Sequence, residues 1–219
     1  MRTLIVLLGA LLVASCQASA PLSGKDDPKN PWWSLSFVEP FYMKVWVEDS
    51  AVEDINGKLF LRTGGGTAGG GEPEDGTESA RGWSKNISSG IRGVVGADLP
   101  KRIYVRWQSI VEPQTYRAWV DIPEEARQIM YASVNERCPA RPQEPANYRA
   151  AVYVGVAPGG IVQVWVEDKC LKTIKVARTQ AEIEPLGPSQ GRNEGRYAYP
   201  VSEKSKRYIG KYGIPYGSW

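Results

Sequence analysis

No histidine occurs anywhere in the 219 residues. That absence removes Ser-His-Asp and Cys-His nucleophile pairs and every zinc site built on imidazole. Cysteine is scarce as well, and three thiols fall one short of a four-thiolate site. No cofactor and no metal are therefore expected. Long apolar runs are lacking. The stretch from Leu4 to Val13 is too short for a hydrocarbon core, which takes roughly 20 helical residues to cross. An excess of one charge is missing too. The formal net charge of +3 argues against nucleic acid as a partner, because such binders concentrate a basic patch.

What is present begins with a leader. Arg2 gives a positive start, Leu4 to Val13 an apolar stretch, and Ala14-Ser15 small residues before Cys16. That order reads as a secretory signal peptide over residues 1–15, to be set aside from fold reasoning. Val13-Ala14-Ser15-Cys16 resembles the lipobox of bacterial lipoproteins, so cleavage before Cys16 and lipid attachment on its thiol are expected. Several acyl chains together hold a protein stably on a bilayer. Gln17 follows, not the aspartate that resembles an inner-membrane retention signal. The expected address is the periplasmic face of the outer membrane, with the inner membrane and the cell surface as alternatives. Residues 16–31 are polar, with Gly24, Pro28 and Pro31, and read as a flexible tether. Residues 32–219 then form one domain.

Lipidation consumes Cys16 and leaves Cys138 and Cys170, an even pair in an oxidising compartment. A disulfide between them is expected, worth about 3 kcal/mol by restricting the unfolded chain. Two separate buried thiols are the alternative.

Strand is the dominant pattern. Residues 34–39, 43–49, 58–62, 102–108, 116–122, 149–156 and 161–167 are rich in Val, Ile, Tyr, Trp and Phe, several in period-2 alternation. Asn56-Gly57 and Pro158-Gly159-Gly160 supply turns between neighbours. Val45-Trp46-Val47-Glu48-Asp49 recurs unchanged at Val164-Trp165-Val166-Glu167-Asp168, and Val38-Glu39-Pro40 is echoed by Val111-Glu112-Pro113. Helix is confined to residues 123–133, opened by Pro123 and Glu124-Glu125 with Ala126, Ile129 and Met130 at helical spacing, and to 202–211 before Gly213. The fold expected is mainly β, an antiparallel sandwich or curved sheet with one or two short helices.

Chemistry-bearing motifs fail one by one. The glycine run from Gly64 to Gly71 lacks the Lys and Ser/Thr of a phosphate loop, and Glu72-Pro73 follow instead. It reads as a mobile surface loop reaching Ser79. Glu48, Asp49, Glu167 and Asp168 lie at strand ends, but sequence neighbours on a strand face opposite ways, so neither pair is a ready acid-base dyad. Asn86-Ile87-Ser88 matches a glycosylation acceptor, which carries little meaning in a bacterial lipoprotein. Trp46, Trp107, Trp119 and Trp165 are expected in the core; Trp32, Trp33, Trp83 and the tail from Tyr212 to Trp219 are candidates for an exposed surface.

Several segments together resemble the bacterial lipoproteins of the domain of unknown function 2931 family: Trp33 with Val38-Glu39-Pro40, Val45 to Asp49, Ser109 to Pro113 with Tyr116, Pro123 to Met130, and Tyr212-Gly213-Ile214-Pro215-Tyr216-Gly217-Ser218-Trp219. Lipoproteins of this kind are similar in build to the periplasmic immunity proteins that accompany type VI lipase effectors. The resemblance implies no enzyme but a binding protein, with a lipase or phospholipase toxin as protein partner and the membrane engaged through the N-terminal lipid. Residues 64–83 or the helix after Pro123 would make the contact, through Gly65, Gly70, Trp83, Glu124 and Arg127. An envelope lipoprotein serving structure or assembly is the alternative.

Overall fold

The computed structural model describes residues 22–73 and 81–219. The leader, Cys16 and the end of the glycine-rich loop at Ser79 lie outside the described residues. In chain order the elements are β1 (Trp32–Val38), β2 (Val45–Asp54), β3 (Leu59–Leu61), β4 (Gly66–Thr67), β5 (Arg92–Val95), β6 (Pro100–Ser109), β7 (Gln114–Asp121), α1 (Glu124–Asn135), β8 (Ala151–Ala157), β9 (Ile161–Glu167), β10 (Thr173–Gln180), β11 (Glu182–Ile183) and α2 (Glu203–Tyr212). The fold is mainly β, as expected.

Two sheets form. One runs β10-β9-β8-β1-β5 and the other β11-β7-β6-β2-β3, with β4 added beside β2. Pairing is antiparallel except where β1 lies parallel to β8, Ser34 opposite Ala151 and Phe37 opposite Val154. Alternation explains the packing. Trp33, Leu35 and Phe37 of β1, Val152, Val154 and Val156 of β8 and Val162, Val164 and Val166 of β9 point inward from the first sheet. Val45, Val47 and Val52 of β2, Ile103, Val105 and Trp107 of β6 and Tyr116, Ala118 and Val120 of β7 answer from the second. Each fully buried branched side chain stabilises the sandwich by roughly 1.5–3 kcal/mol. A bulge in β2 between Val47 and Asp49 shifts the alternation by one residue. Asp49 is thereby spared the core, and Val52 takes an inward position.

α1 closes one flank with Ala126 and Met130 in the core. Its N-cap is Pro123 itself, with no side-chain capping bond, so Asp121 remains the last residue of β7. α2 follows the expectation closely. Ser202 caps it by accepting from Ser205 N, and Gly213, with φ 72°, ends it.

A second cluster seals one end of the sandwich: Tyr42, Met43, Ala157, Tyr208 and Trp219, with Trp83 packed against it. The C-terminal tail is therefore part of the packing. Trp219 is buried and donates from Nε1 to Pro158 O at 3.0 Å, while Arg178 donates to its carbonyl. Trp33 is likewise buried, against the expectation of an exposed ring, whereas Trp119 of β7, expected inside, is 38% exposed.

Two segments are more ordered than composition implies. The glycine run is stitched to the first two strands: β4 pairs with β2, and Gly69 N donates to Phe37 O at 2.8 Å. Residues 22–31 also belong to the domain. Gly24 N donates to Asn135 O, Asn30 N to Tyr148 O, and Asp27 binds Arg137 and the Ala146 N–H. Residues 22–31, expected as part of a flexible tether, are thus tied to the sandwich and its helix. The Asp27 carboxyl is held down to about 2 by the Arg137 guanidinium first and the Ala146 amide second.

Cys138 and Cys170 are joined as a disulfide closing a separation of 32 residues. It ties the loop after α1 to the turn after β9.

Candidate functional site

The glycine candidates serve packing. A Cβ on Gly65 would come within 3.2 Å of Val47 O, and one on Gly70 would collide with Glu39. Only glycine lets the chain approach this closely. Trp83 lies edge-on to Trp165, ring centroids 5.1 Å apart at 84°, over Gly155. These three residues form no common surface with α1.

Glu124 and Arg127 lie together at the start of α1. Arg127 bridges Glu124 at 2.6 Å and donates to Ile122 O, and to Pro100 O at 3.5 Å. Its guanidinium thus anchors the helix start to the ends of β6 and β7, and it is Glu124 that reaches solvent. Beside them runs a groove of about 720 Å3, lined by Ile55, Leu99, Lys101, Arg127 and Tyr131. Ile55 is 52% and Tyr131 65% exposed, so two large apolar groups face water across the groove. Single exposed apolar residues are ordinary; grouped in a groove with a charged rim they mark a contact surface.

The rim continues onto the second sheet. Lys101 and Arg102 both bind Glu53, at 3.0 and 2.6 Å. The Lys101 hydrogen bond, then that of Arg102, holds the Glu53 carboxyl below its ordinary range. Arg102 also lies over the exposed Trp119 ring at 4.4 Å, and Tyr104 packs against the same ring at 5.4 Å. Tryptophan, tyrosine and arginine are the side chains most enriched at binding hot spots. Tyr131 was recoverable from sequence: with Ala126, Met130 and Ser133 turned inward on α1, it falls on the outer side. Ile55 and Leu99 were not, since they come from turns far apart in the chain.

The four strand-end carboxylates are engaged in the fold. Glu48 binds Arg106 at 2.7 Å and accepts from Gln108 Nε2 and Ser189 N. Asp49 accepts from Ser50 N, Glu167 from the Tyr153 hydroxyl at 2.8 Å, and Asp168 from Cys170 N and Lys172 N. The β2 bulge places Glu48 and Asp49 on the same face, opposite the Arg106 side of β6, contrary to strict alternation. Glu48 is nonetheless not solvated, because its side chain is 4% exposed. Among the described residues no group of three or more Cys, Asp or Glu could hold a metal. No described helix is long and apolar enough to cross a membrane.

Fold and surface define a disulfide-tied β-sandwich with an amphipathic groove along one helix. A model of a family described as "Protein of unknown function (DUF2931)" matches residues 17–217. The chain belongs to that family. Neither the curated proteins nor the solved structures yield a match.

Proposed function

We propose that this protein is a lipid-anchored periplasmic binding protein, an immunity protein that neutralises a membrane-attacking type VI lipase effector by occluding it. The observation that carries the binding reading is the groove along α1, lined by Ile55, Leu99 and Tyr131, whose Lys101 shares Glu53 with Arg102 of the Arg102–Trp119–Tyr104 cluster. Those groups supply the apolar centre and cationic aromatic rim of a protein interface. The address rests on the leader and on Cys16; the Cys138–Cys170 bond suits the oxidising compartment it would reach. Action by binding rather than catalysis is supported by the engagement of Glu48, Glu167 and Asp168 within the fold. Occlusion needs proximity to the lipid that the toxin attacks, which the acylated Cys16 would provide.

The test is an affinity pull-down of the acylated protein from its native envelope, followed by phospholipid-vesicle hydrolysis by whatever lipase is retained. Retention of a lipase or phospholipase whose hydrolysis falls on adding the protein is expected. Ile55→Asp with Tyr131→Asp should weaken that inhibition at least about tenfold while the melting temperature stays put. Recovery of envelope-assembly proteins alone would replace this reading with the structural one.

A further inference from the structure

A second concavity lies on the other sheet, about 440 Å3 in volume and independent of the α1 groove. Its floor is the outer face of the first sheet. Ser34 of β1 and Ala151 of β8 stand opposite each other there, and their small side chains leave the hollow. Tyr153 and Glu167 continue the floor, joined by their 2.8 Å hydrogen bond. Burial first, and then Glu167, pushes the Tyr153 hydroxyl above its ordinary range.

The wall is the segment following Cys138, and it is held from several sides. The disulfide fixes one end, Asp27 accepts from Ala146 N, and Asn147 donates from N to Ser133 O and from Nδ2 to Asp168 O. Such bracing makes a preformed pocket rather than a loose surface fold, and its size falls among those of small-molecule sites. Ile91, Tyr148 and Leu171 stand at the mouth, each 53% exposed. Leu171 is held with φ 64°, a left-handed conformation uncommon for a branched side chain.

Charge decides what the pocket can take. Arg141 is paired with Glu144 at 2.8 Å, Lys169 with Glu136, and Glu167 accepts from Tyr153. Arg149 differs. Its guanidinium lies 5.5 Å from the Trp32 ring, its Nε is buried without a hydrogen-bond partner, and no described acid pairs with it. Its positive charge reaches Tyr153 on the floor. Arg149 and Glu167 are thus the two lining charges that no opposite charge faces; a Glu167 oxygen is already taken by the Tyr153 hydroxyl, whereas the Arg149 guanidinium can meet one negative charge on an apolar carrier. Glu144 and Glu167 in the lining disfavour a multiply charged anion such as a phosphate dianion.

We propose that this pocket binds a carboxylate borne on a compact apolar group, with Arg149 as its charge partner and Ile91, Tyr148 and Leu171 covering the apolar part. The carboxylate comes either from a free small acid or from the chain end of a polypeptide. Arg149 supplies a planar donor set suited to a carboxylate, and the Trp32 ring keeps its guanidinium in place.

The experiment is a two-dimensional NMR titration of the full domain with 3-phenylpropionate, and with 3-phenylpropionamide as the neutral match. A parallel arm uses an acetylated tetrapeptide ending in phenylalanine, free or amidated at its C-terminus. The acids are expected to shift the Trp32 indole and the amides of residues 146–153, and the neutral matches to leave them unmoved. Tighter binding of the free-ended peptide than of phenylpropionate identifies a chain end as the source; the reverse order identifies a small acid. Arg149→Gln should weaken binding at least about tenfold, with Arg149→Lys intermediate. Equal binding of acid and amide, or no shift with either acid, overturns the proposal without reference to any variant. Unchanged acid binding by a folded Arg149→Gln protein overturns it equally.

Discussion

The same five residues, Val-Trp-Val-Glu-Asp, occur in β2 and across the end of β9, one copy in each sheet. Both copies turn their valines into the core, Val45 and Val47 in one and Val164 and Val166 in the other. Each tryptophan is met edge-on by an aromatic ring from a distant loop: Tyr199 on Trp46 at 5.6 Å and Trp83 on Trp165 at 5.1 Å. The copies part at the acids. In β2 the bulge and the partners on β6 make Glu48 a buried hub, joined to Arg106, Gln108 and the backbone of Ser189. Ser189 is itself held at φ 53° in the segment covering that face. In β9 the strand simply ends. Glu167 takes a tyrosine hydroxyl, and Asp168 organises the turn that leads to Cys170. Local sequence sets which way a strand faces; the neighbouring strand sets what its acids do.

The largest effect should separate the two glutamates. Glu48→Ala leaves the nearly buried Arg106 without its carboxylate and orphans Gln108, and should cost about 4 kcal/mol of unfolding free energy. Glu167→Ala removes one hydrogen bond at a half-buried site, for about 1 kcal/mol. Urea denaturation of both variants checks this, and equal losses would mean that the bulge confers no special role. The tryptophans come next. Trp165 is 3% exposed, so Trp165→Ala should cost about 3 kcal/mol. Trp46 is less completely covered, and its alanine variant should lose roughly half as much. A reversal of that order in thermal unfolding would show that the Tyr199 segment shields its tryptophan better than Trp83 does.

Only the second copy is followed by a covalent tie. Replacing both Cys138 and Cys170 by serine should lower stability by about 2–3 kcal/mol, since the bond restrains a separation of 32 residues in the unfolded chain. Hydrogen exchange should rise first in the turn after Asp168 and in the segment after Cys138, with the amides of β2 unchanged. Uniform acceleration across both sheets would place the disulfide in the global fold instead.

Much of this architecture was legible beforehand. All seven expected strands form: inward-facing apolar residues alternate along β1, β6, β7, β8 and β9, β2 alternates on either side of its bulge, and β3 turns only Phe60 toward the core. The cysteine pair followed from parity and from the oxidising compartment that the leader led one to expect. β10 escaped because its bulge between Lys175 and Ala177 breaks the alternation, and β5 and β11 because four and two residues are too few to show a period. Glycine composition misled at residues 64–71. The missing Cβ serves close approach to Glu39 and Val47 there, and that purpose stays invisible until those neighbours are in place. The tryptophans misled in the same way, since loops and tail decide which rings see water. For the candidate site, Tyr131 and Glu124 could be placed on one helix from their spacing, while the opposite wall at Ile55 and Leu99 depended on tertiary structure.

The last expected effect concerns the approach to the first copy, where Glu39 accepts from Val45 N at 2.7 Å. Burial pushes its carboxyl up to about 7, against the opposing pull of Lys44 at 3.5 Å, whose ammonium is partly in water and offsets only part of the cost. A carboxyl raised in the folded state stabilises the fold while protonated. That stability is whole below the unfolded value near 4.5 and is lost as pH rises through about 7. The chain holds no histidine, the side chain whose ordinary value falls in that window. Unfolding free energy should therefore fall by about 2 kcal/mol between pH 5 and pH 8. Glu39→Gln keeps an acceptor for Val45 N and should flatten that profile. Denaturation curves at the two pH values decide the matter: an equal fall in the glutamine variant would assign the loss to groups elsewhere.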